Sequence, residues 1–253
     1  MPGYGFSTPL TIPGVNWEVT ADLWVKLMEQ LGYPRFATFG GDWGAFVSHQ
    51  LGHKYADRLI GMHCTLMVPL DLLTGGTGAT PEDFGPEGVG RMRRNELFFL
   101  QEAGYFALQT TKPQTPAFAL NDSPVGLMAW LVEKRRAWSD CGGDVETRFS
   151  KDDLLNTVMI YWVTQSYGTS ARYYYESVHK PWRASHTRSP VIEAPTAITA
   201  LPEEIVAQPR RWGERYYNLK QWRAYPSGGH FGPMEEPEAV LRDARDFFRS
   251  LRG

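Results

Sequence analysis

Residues 35–44 read Arg-Phe-Ala-Thr-Phe-Gly-Gly-Asp-Trp-Gly, an apolar run that ends in a glycine-flanked aspartate. The run 35–39 predicts a short buried strand, and a helical pattern follows from Ala45 to Tyr55. The segment 59–64, Leu-Ile-Gly-Met-His-Cys, predicts a second strand. A strand, a turn, a helix and another strand form a βαβ unit, so we expect a parallel sheet.

Asp42 stands at the turn between the first strand and its helix. A polar residue with small neighbours at such a turn is typical of a nucleophile elbow, whose strained backbone lifts the side chain clear of the sheet. The N-terminus of the following helix also favours an anion at this place. Asp and Gly are common in ordinary turns as well, so the motif alone leaves that alternative open.

The composition is that of a soluble globular protein, since 42 % of its 253 residues are hydrophobic and 21 % are charged. The net charge of -2 is dispersed, without a basic stripe for nucleic acid or a polybasic cluster for membranes. Two isolated cysteines and the lack of a signal peptide or apolar span predict a cytoplasmic protein without a membrane anchor. No cluster has metal-ligand spacing and no phosphate-binding glycine motif is complete, so we expect neither a metal nor a cofactor.

Helical patterns dominate the middle of the chain, and strand patterns return near its end. The predicted helices follow a loop at 75–90 and span 91–107, 125–138, 151–165 and 168–178. Two later strands are predicted at 191–198 and 221–225, with a closing helix at 237–251. Near the start, a further helix is predicted with its apolar face on Trp17, Ala21, Trp24, Met28 and Leu31. We therefore predict an α/β domain of residues 1–70 and 187–253, into which an all-helical cap of residues 71–186 is inserted.

Two more polar positions could form a catalytic triad with Asp42. His230 follows the last predicted strand, which is where an α/β-hydrolase sheet presents its histidine. Glu203 and Glu204 follow the preceding strand, and either carboxylate could orient the imidazole. The competing interpretations are a solvated loop histidine and two carboxylates that cap a helix beginning near Ile205. The other histidines are interpreted as non-catalytic: His49, His53, His63, His179 and His186.

Five ordered motifs resemble the epoxide hydrolases of the α/β-hydrolase superfamily, in particular the microsomal type. The likeness covers essentially the whole chain. It implies an α/β-hydrolase fold, in which helices flank a parallel sheet and a helical cap is inserted. The motifs are Pro-Gly-Tyr-Gly-Phe-Ser (2–7), Gly-Gly-Asp-Trp-Gly (40–44), Gln-Thr-Thr-Lys-Pro-Gln-Thr (109–115), the run 119–140 with Glu133-Lys134, and Gly-Gly-His-Phe (228–231).

The resemblance implies that an epoxide becomes a vicinal diol in two steps. Asp42 attacks an epoxide carbon and forms a hydroxyalkyl ester, which water activated by His230 then hydrolyses. The chemistry suits the residues, because breaking such an ester requires a general base. The family pattern selects Glu204 as the acid that orients the histidine. The implied partners are a small apolar epoxide and water.

Ring opening creates an alkoxide, and family members protonate it with two cap tyrosines. The resemblance assigns this role to Tyr105 and Tyr174, although three consecutive tyrosines (173–175) leave the register of the second open. A core tyrosine is the alternative for either position. The Trp43 N–H corresponds to one oxyanion donor of the family.

The family also carries a His-Gly-x-Pro segment upstream of the motif at 2–7. We therefore expect a fold without its N-terminal strands, with one oxyanion donor fewer and an exposed apolar edge on the strand that ends at Phe39. Two other interpretations stay open: a haloalkane dehalogenase-like hydrolase of the same fold, or a truncated, inactive remnant. Assembly into a homo-oligomer is also left open.

Overall fold

Strands occupy the two ends of the chain and helices its middle in the computed structural model, which describes residues 1–76 and 78–252. In chain order the elements are α1 (Trp17–Gln30), β1 (Phe36–Gly40), α2 (Trp43–Lys54), β2 (Leu59–Cys64), α3 (Pro81–Phe84), α4 (Val89–Leu97), α5 (Gly104–Thr111), α6 (Gln114–Leu120), α7 (Pro124–Ala137), α8 (Lys151–Thr164), α9 (Tyr167–Val178), β3 (Ile192–Ala200), α10 (Arg210–Tyr216), β4 (Tyr217–Ala224), α11 (Gly232–Glu235) and α12 (Pro237–Ser250).

The four strands form one sheet in the order β1-β2-β3-β4, and every neighbouring pair is parallel. The predicted parallel sheet is therefore confirmed. Gly40 pairs with Cys64, and Cys64 pairs with Ile198, so the carboxyl ends of the first three strands lie side by side. Because the chain leaves parallel strands at one edge, the loops after β1, β3 and β4 converge there.

Helices cover both faces of the sheet. In β2, Gly61 packs against Phe247 of α12, whereas the adjacent Met62 packs against Gly52 of α2. Successive strand residues point to opposite faces, so α2 and α12 lie on opposite sides. Helix α1 contacts α2, and its buried Trp17 and Ala21 extend the same core.

The region between β2 and β3 is helical throughout its described part, apart from turns and loops. The predicted helix at 91–107 is wrong in detail, because a π-helical turn at Phe98–Glu102 separates α4 from α5. A π-helical turn contains more residues than an α-helical turn. Residues 97–100 are all apolar, so the hydrophobic periodicity of the sequence gives no sign of this change. Helix α3 and a 3-10 turn at Pro86–Gly88 also interrupt the predicted loop. The cap boundaries themselves stay a prediction.

Three other local predictions need correction. No helix begins near Ile205, since residues 201–209 are irregular and α10 starts only after Pro209. Strand β4 begins at Tyr217, directly after α10, four positions before the predicted start at 221. Leu31 follows the last turn of α1 and is 59 % exposed, so it does not belong to the buried face.

Strand β1 is an edge of the sheet within the described chain. Ala37 and Phe39 on this strand are exposed, and the Phe39 ring keeps 44 % of its surface accessible. Helix α1 adds Leu23 and Leu27 to the exposed apolar surface, at 41 % and 40 % exposure. The expected apolar edge is therefore present on the strand that leads to Asp42.

Substitutions of two glycines in the turn after β1, Gly40 and Gly44, should differ sharply in their effect on stability. A Cβ at Gly40 would lie 2.2 Å from the carbonyl oxygen of Gly44, whereas a Cβ at Gly44 would meet nothing within 4 Å. Gly40→Ala should lower the free energy of unfolding by about 3 kcal/mol or more, because the backbone must shift. Gly44→Ala, the control, should stay within about 1 kcal/mol of wild type, since Ala is a good helix former. Urea denaturation followed by circular dichroism measures both; equal effects would contradict the proposed crowding.

Candidate active site

Asp42 sits in strained backbone between β1 and α2. Its φ of 49° and ψ of -130° lie outside the regions that a non-glycine residue ordinarily occupies. Such a conformation costs on the order of 1–3 kcal/mol and is typical of functional turns. The side chain remains 42 % exposed, and its Oδ1 accepts a 2.6 Å hydrogen bond from the Trp43 N–H. The structure thus presents this carboxylate as a nucleophile elbow would.

His230 lies between two carboxylates. Its Nε2 is 2.9 Å from Asp42 Oδ2, and its Nδ1 is 2.5 Å from Glu204 Oε1. His230 and Glu204 are both buried. Glu203, the other candidate acid, instead forms an exposed ion pair with Arg94, whose Nη1 is 2.9 Å from Glu203 Oε1. The geometry therefore distinguishes the two glutamates and brings Glu204 into the triad position.

The charges of this triad shift its protonation equilibria. Burial alone would lower the pKa of His230, but the carboxylates of Glu204 and Asp42 outweigh it and raise the pKa above its ordinary value. Burial would likewise raise the pKa of Asp42, yet its hydrogen bonds to His230 and the Trp43 N–H hold it below the usual range. Both pKa shifts favour an imidazolium at His230 beside an ionised Asp42.

Of the three consecutive tyrosines, Tyr174 faces the space above Asp42. The Tyr173 hydroxyl is buried against Thr20, with 2.9 Å between their oxygens. Tyr175 stacks on His179 at a centroid distance of 3.9 Å. Tyr174 lines the same cavity as Asp42 and packs edge-on against Trp43, with ring centroids 4.8 Å apart. Of these three tyrosines, Tyr174 is therefore the one that lines the cavity with Asp42.

Tyr105 lies beside Tyr174, in a cavity that Tyr4, Tyr161 and Tyr167 also line. Its ring centroid lies 5.9 Å from that of Tyr174, and both rings line the cavity that contains Asp42. Burial, and then the negative charge of Asp42, raise the pKa of each phenol, so both hydroxyls are protonated. Two neutral donors thus share the neighbourhood of one carboxylate.

Asp42 stands where two cavities meet. One, of about 150 Å³, is lined mostly by apolar side chains from α2, the loops after β2 and β3, the π-helical turn at Phe98–Glu102 and α5. The other, of about 440 Å³, contains His230 and polar groups from the cap. Four residues line both cavities: Asp42, Trp43, Tyr105 and Tyr174.

Trp138 connects the cap to the histidine loop, a role that the sequence did not reveal. Its main-chain carbonyl accepts a 2.9 Å hydrogen bond from the His230 N–H, and its indole packs edge-on against the imidazole at 5.4 Å. A Cβ at Gly229 would lie 2.6 Å from that carbonyl oxygen, so only glycine permits this approach. The glycine in Gly-Gly-His was thus the available signal, but its partner is some 90 positions away along the chain.

Helix α4 of the cap holds the acid loop. The guanidinium of Arg91 donates to the carbonyl oxygens of both Pro202 and Glu204. Asn95 adds two hydrogen bonds to the main chain of Ala207, at 2.8 and 3.1 Å. These contacts fix the backbone from which Glu204 reaches the histidine. No local sequence pattern predicted them.

Tyr4 lies within the first motif, for which the sequence suggested no function. Its hydroxyl donates to the Ser170 carbonyl oxygen at 3.3 Å, and its ring lines the cavity that contains His230. The N-terminal segment is further joined to α9 by a 2.6 Å hydrogen bond from Thr169 to the Gly3 carbonyl. The motif therefore closes one side of the cavity.

The other histidines lie away from this place. Neither cavity beside Asp42 is lined by any of the five histidines interpreted as non-catalytic. Burial lowers the pKa of His49 to about 3 and that of His63 to about 4, so both are neutral. Within residues 1–76 and 78–252, no group of His, Cys, Asp and Glu has the arrangement of a metal site. No helix in this described part combines the length and apolarity needed to cross a membrane.

Comparison with known proteins agrees with this geometry. A family model described as alpha/beta hydrolase fold matches residues 1–237. The chain belongs to this family. The α/β-hydrolase is 36 % identical to epoxide hydrolase 1 of the rabbit, Oryctolagus cuniculus, over 98 % of its own length and 58 % of that protein. The predicted fold class and the resemblance to epoxide hydrolases are both confirmed.

Solved structures give the same result. Juvenile hormone epoxide hydrolase from the silkworm Bombyx mori superposes with a TM-score of 0.85 at 30 % identity, covering 100 % of this chain and 64 % of that one. An epoxide hydrolase of Aspergillus niger gives a TM-score of 0.82 at 27 % identity, covering 99 % and 62 %. The α/β-hydrolase spans just over half the length of the curated relatives that it matches.

The two adjacent glutamates provide a matched test of the acid. Glu204→Gln removes the charge that raises the pKa of His230, so the pH at which the base becomes active should fall. The plateau rate of ester hydrolysis should also fall, by about 10²–10⁴, since the imidazole loses its orientation and becomes a weaker base. Glu203→Gln should leave both unchanged. Single-turnover hydrolysis measured across pH distinguishes them, and similar behaviour of the two variants would contradict the assignment.

Proposed function

We propose that this α/β-hydrolase converts epoxides to vicinal diols through an ester on Asp42. The observation that carries the proposal is the position of this carboxylate. It is raised on the elbow, hydrogen-bonded to His230 and placed in one cavity with two protonated tyrosines. Similarity to proteins named epoxide hydrolases supports the same reaction.

The first step is an attack of Asp42 on a ring carbon. Oδ1 is held by the Trp43 N–H, so Oδ2 is the oxygen that forms the new bond. As the ring C–O bond breaks, Tyr105 or Tyr174 gives its proton to the departing oxygen. The tyrosinate regains a proton from the His230 imidazolium, and the product is a neutral hydroxyalkyl ester beside a neutral imidazole.

The second step uses the histidine as a base. Esterification removes the charge of Asp42, one of the two carboxylates that raise the pKa of His230. The neutral Nε2 can then take a proton from water, whose oxygen attacks Cγ of Asp42. The Trp43 N–H stabilises the carbonyl oxygen as it becomes negative. Cleavage of the bond between Cγ and the ester oxygen then releases the diol. Of the two protons of the water molecule, one ends on the leaving oxygen of the diol and the other on His230, which restores the imidazolium.

A second candidate reaction is hydrolytic dehalogenation at the same Asp42. The observation in its favour is that the indole N–H groups of Trp43 and Trp138 are buried without a hydrogen-bond partner among the described residues. Such donors could bind a leaving halide. Two tyrosine hydroxyls serve an alkoxide better, so we expect diol formation from styrene oxide to exceed bromide release from 1-bromohexane.

The covalent ester gives the decisive experiment. Single turnover of the purified chain with styrene oxide, quenched with acid, should add the mass of one substrate to the peptide that contains Asp42. Asp42→Asn should prevent this adduct, because an amide is a far weaker nucleophile. In water labelled with heavy oxygen, one label per turnover should enter Asp42. A folded protein that never forms the adduct would refute the proposal and favour an inactive remnant.

The three consecutive tyrosines allow the proton donor to be tested. Tyr174→Phe should slow formation of the ester by about 10²-fold, the lower end for general acid catalysis, because Tyr105 remains. Tyr175→Phe is the matched control and should react like wild type, since this ring stacks on His179 instead. Stopped-flow tryptophan fluorescence can follow the step, as Trp43 adjoins the site. Equal rates for the two variants would remove Tyr174 from the mechanism.

We further expect the reaction to take place in the cytoplasm. Cys64 and Cys141 are both unpaired and buried, which suits a reducing compartment. Assembly into a homo-oligomer stays a prediction, which light scattering at several protein concentrations can test.

A further inference from the structure

The larger cavity beside Asp42 has an unbalanced positive charge on its wall. Arg135, on α7, lines the cavity of about 440 Å³ that also contains His230. Its guanidinium carbon lies 4.0 Å above the ring of Phe231 and 5.3 Å from that of Phe149. The one hydrogen bond that its guanidinium makes within the described chain goes to Met234 Sδ, a weak acceptor, at 3.4 Å.

The neighbouring cation is paired, which makes Arg135 distinctive. Lys134 lines the same cavity, but its Nζ lies 3.0 Å from Glu133 and 3.3 Å from Glu102. No carboxylate lies within 4 Å of the Arg135 guanidinium in residues 1–76 and 78–252. Its charge is therefore available to something that enters the cavity.

The acidic groups nearest to Arg135 are already engaged. Glu235 accepts hydrogen bonds from the main-chain N–H groups of Asp140, Gly229 and Phe231 at 2.8 to 3.0 Å. Asp153 accepts from both the N–H and the hydroxyl of Ser150, at the start of α8. Both carboxylates thus perform structural roles and leave the guanidinium donors free.

The two substituents, or arms, of an epoxide ring at Asp42 would meet different chemical groups, because the two cavities have different linings. The smaller cavity offers apolar contacts from Leu66, Val68, Phe98 and other side chains. The larger one offers the guanidinium, together with the amide of Gln109, which makes no side-chain hydrogen bond within the described chain. A guanidinium is the side chain best suited to a carboxylate, which it binds through two parallel hydrogen bonds.

We infer that the site takes epoxides with one apolar arm and one arm that ends in a carboxylate, and that Arg135 determines this specificity. The inference rests on the proposed epoxide hydrolysis and deepens it. The apolar arm occupies the smaller cavity, beside the π-helical turn at Phe98–Glu102 and α5, while the carboxylate arm extends toward α7. The ring of Phe231, which is adjacent to His230, packs against the Arg135 guanidinium and stabilises it through a cation–π contact.

The experiment compares cis-epoxystearate with its methyl ester, below the concentration at which either forms micelles, with styrene oxide as a substrate lacking a carboxylate. Wild type should hydrolyse the acid with a kcat/KM about 10- to 100-fold above that of the ester, as a charge-assisted hydrogen bond allows. Arg135→Gln should abolish this preference, so that the acid and its methyl ester react with equal kcat/KM. Arg136→Gln is the matched control, because Arg136 is exposed and donates to the Gly143 carbonyl outside the cavity.

The outcomes separate this inference from the proposed function. Turnover of styrene oxide without a preference for the acid would overturn the role of Arg135 and leave the proposed function intact. If no epoxide reacts, calorimetric binding of decanoate still tests the site, since it requires no catalysis. Decanoate should bind wild type and Arg136→Gln alike, and Arg135→Gln about 10-fold more weakly; equal binding by all three would overturn the inference.

Discussion

The backbone of Asp42 is the constraint on which the site depends. In the proposed mechanism the Asp42 carboxylate must reach the cavity above the sheet, and here it does so from backbone with a positive φ. The conformation persists because the turn is packed from both sides, with the Gly40 backbone against Gly44 and Gly41 close to Thr65. Strain at one residue is thus sustained by the close packing of its neighbours. The sheet, in turn, brings the two other catalytic loops to the same edge.

The cap helps to build the proposed active site and does more than cover it. It holds the acid loop through Arg91, and it holds the histidine loop through the Trp138 carbonyl. It also contributes Tyr105 and Tyr174, which share the cavity with the nucleophile. The sheet therefore determines where the triad residues emerge, while the cap determines how accurately they meet.

The parts of the molecule that local sequence encodes were predictable. Apolar periodicity located the βαβ unit, and glycines next to Asp42 and His230 marked the two turns. Contacts between distant segments were not predictable from the residues themselves. Arg91 and Glu204 are separated by 113 positions, and an arginine on an amphipathic helix resembles any surface cation. Similarly, three consecutive tyrosines on one helix point in three directions, and only the packing of α9 shows which one faces the cavity.

The hydrogen bond between the His230 N–H and the Trp138 carbonyl joins two main chains. Apart from proline at 230, no side-chain replacement at these two positions removes it, so its trace in the sequence is Gly229, which permits the close approach. The number of residues at this junction does matter, because an insertion or deletion between α7 and residue 140 would shift the Trp138 carbonyl away from the histidine loop. The main chain at this junction therefore tolerates changes of residue type better than changes of length. Transplanting a cap between related hydrolases would have to retain this short segment together with its own histidine loop.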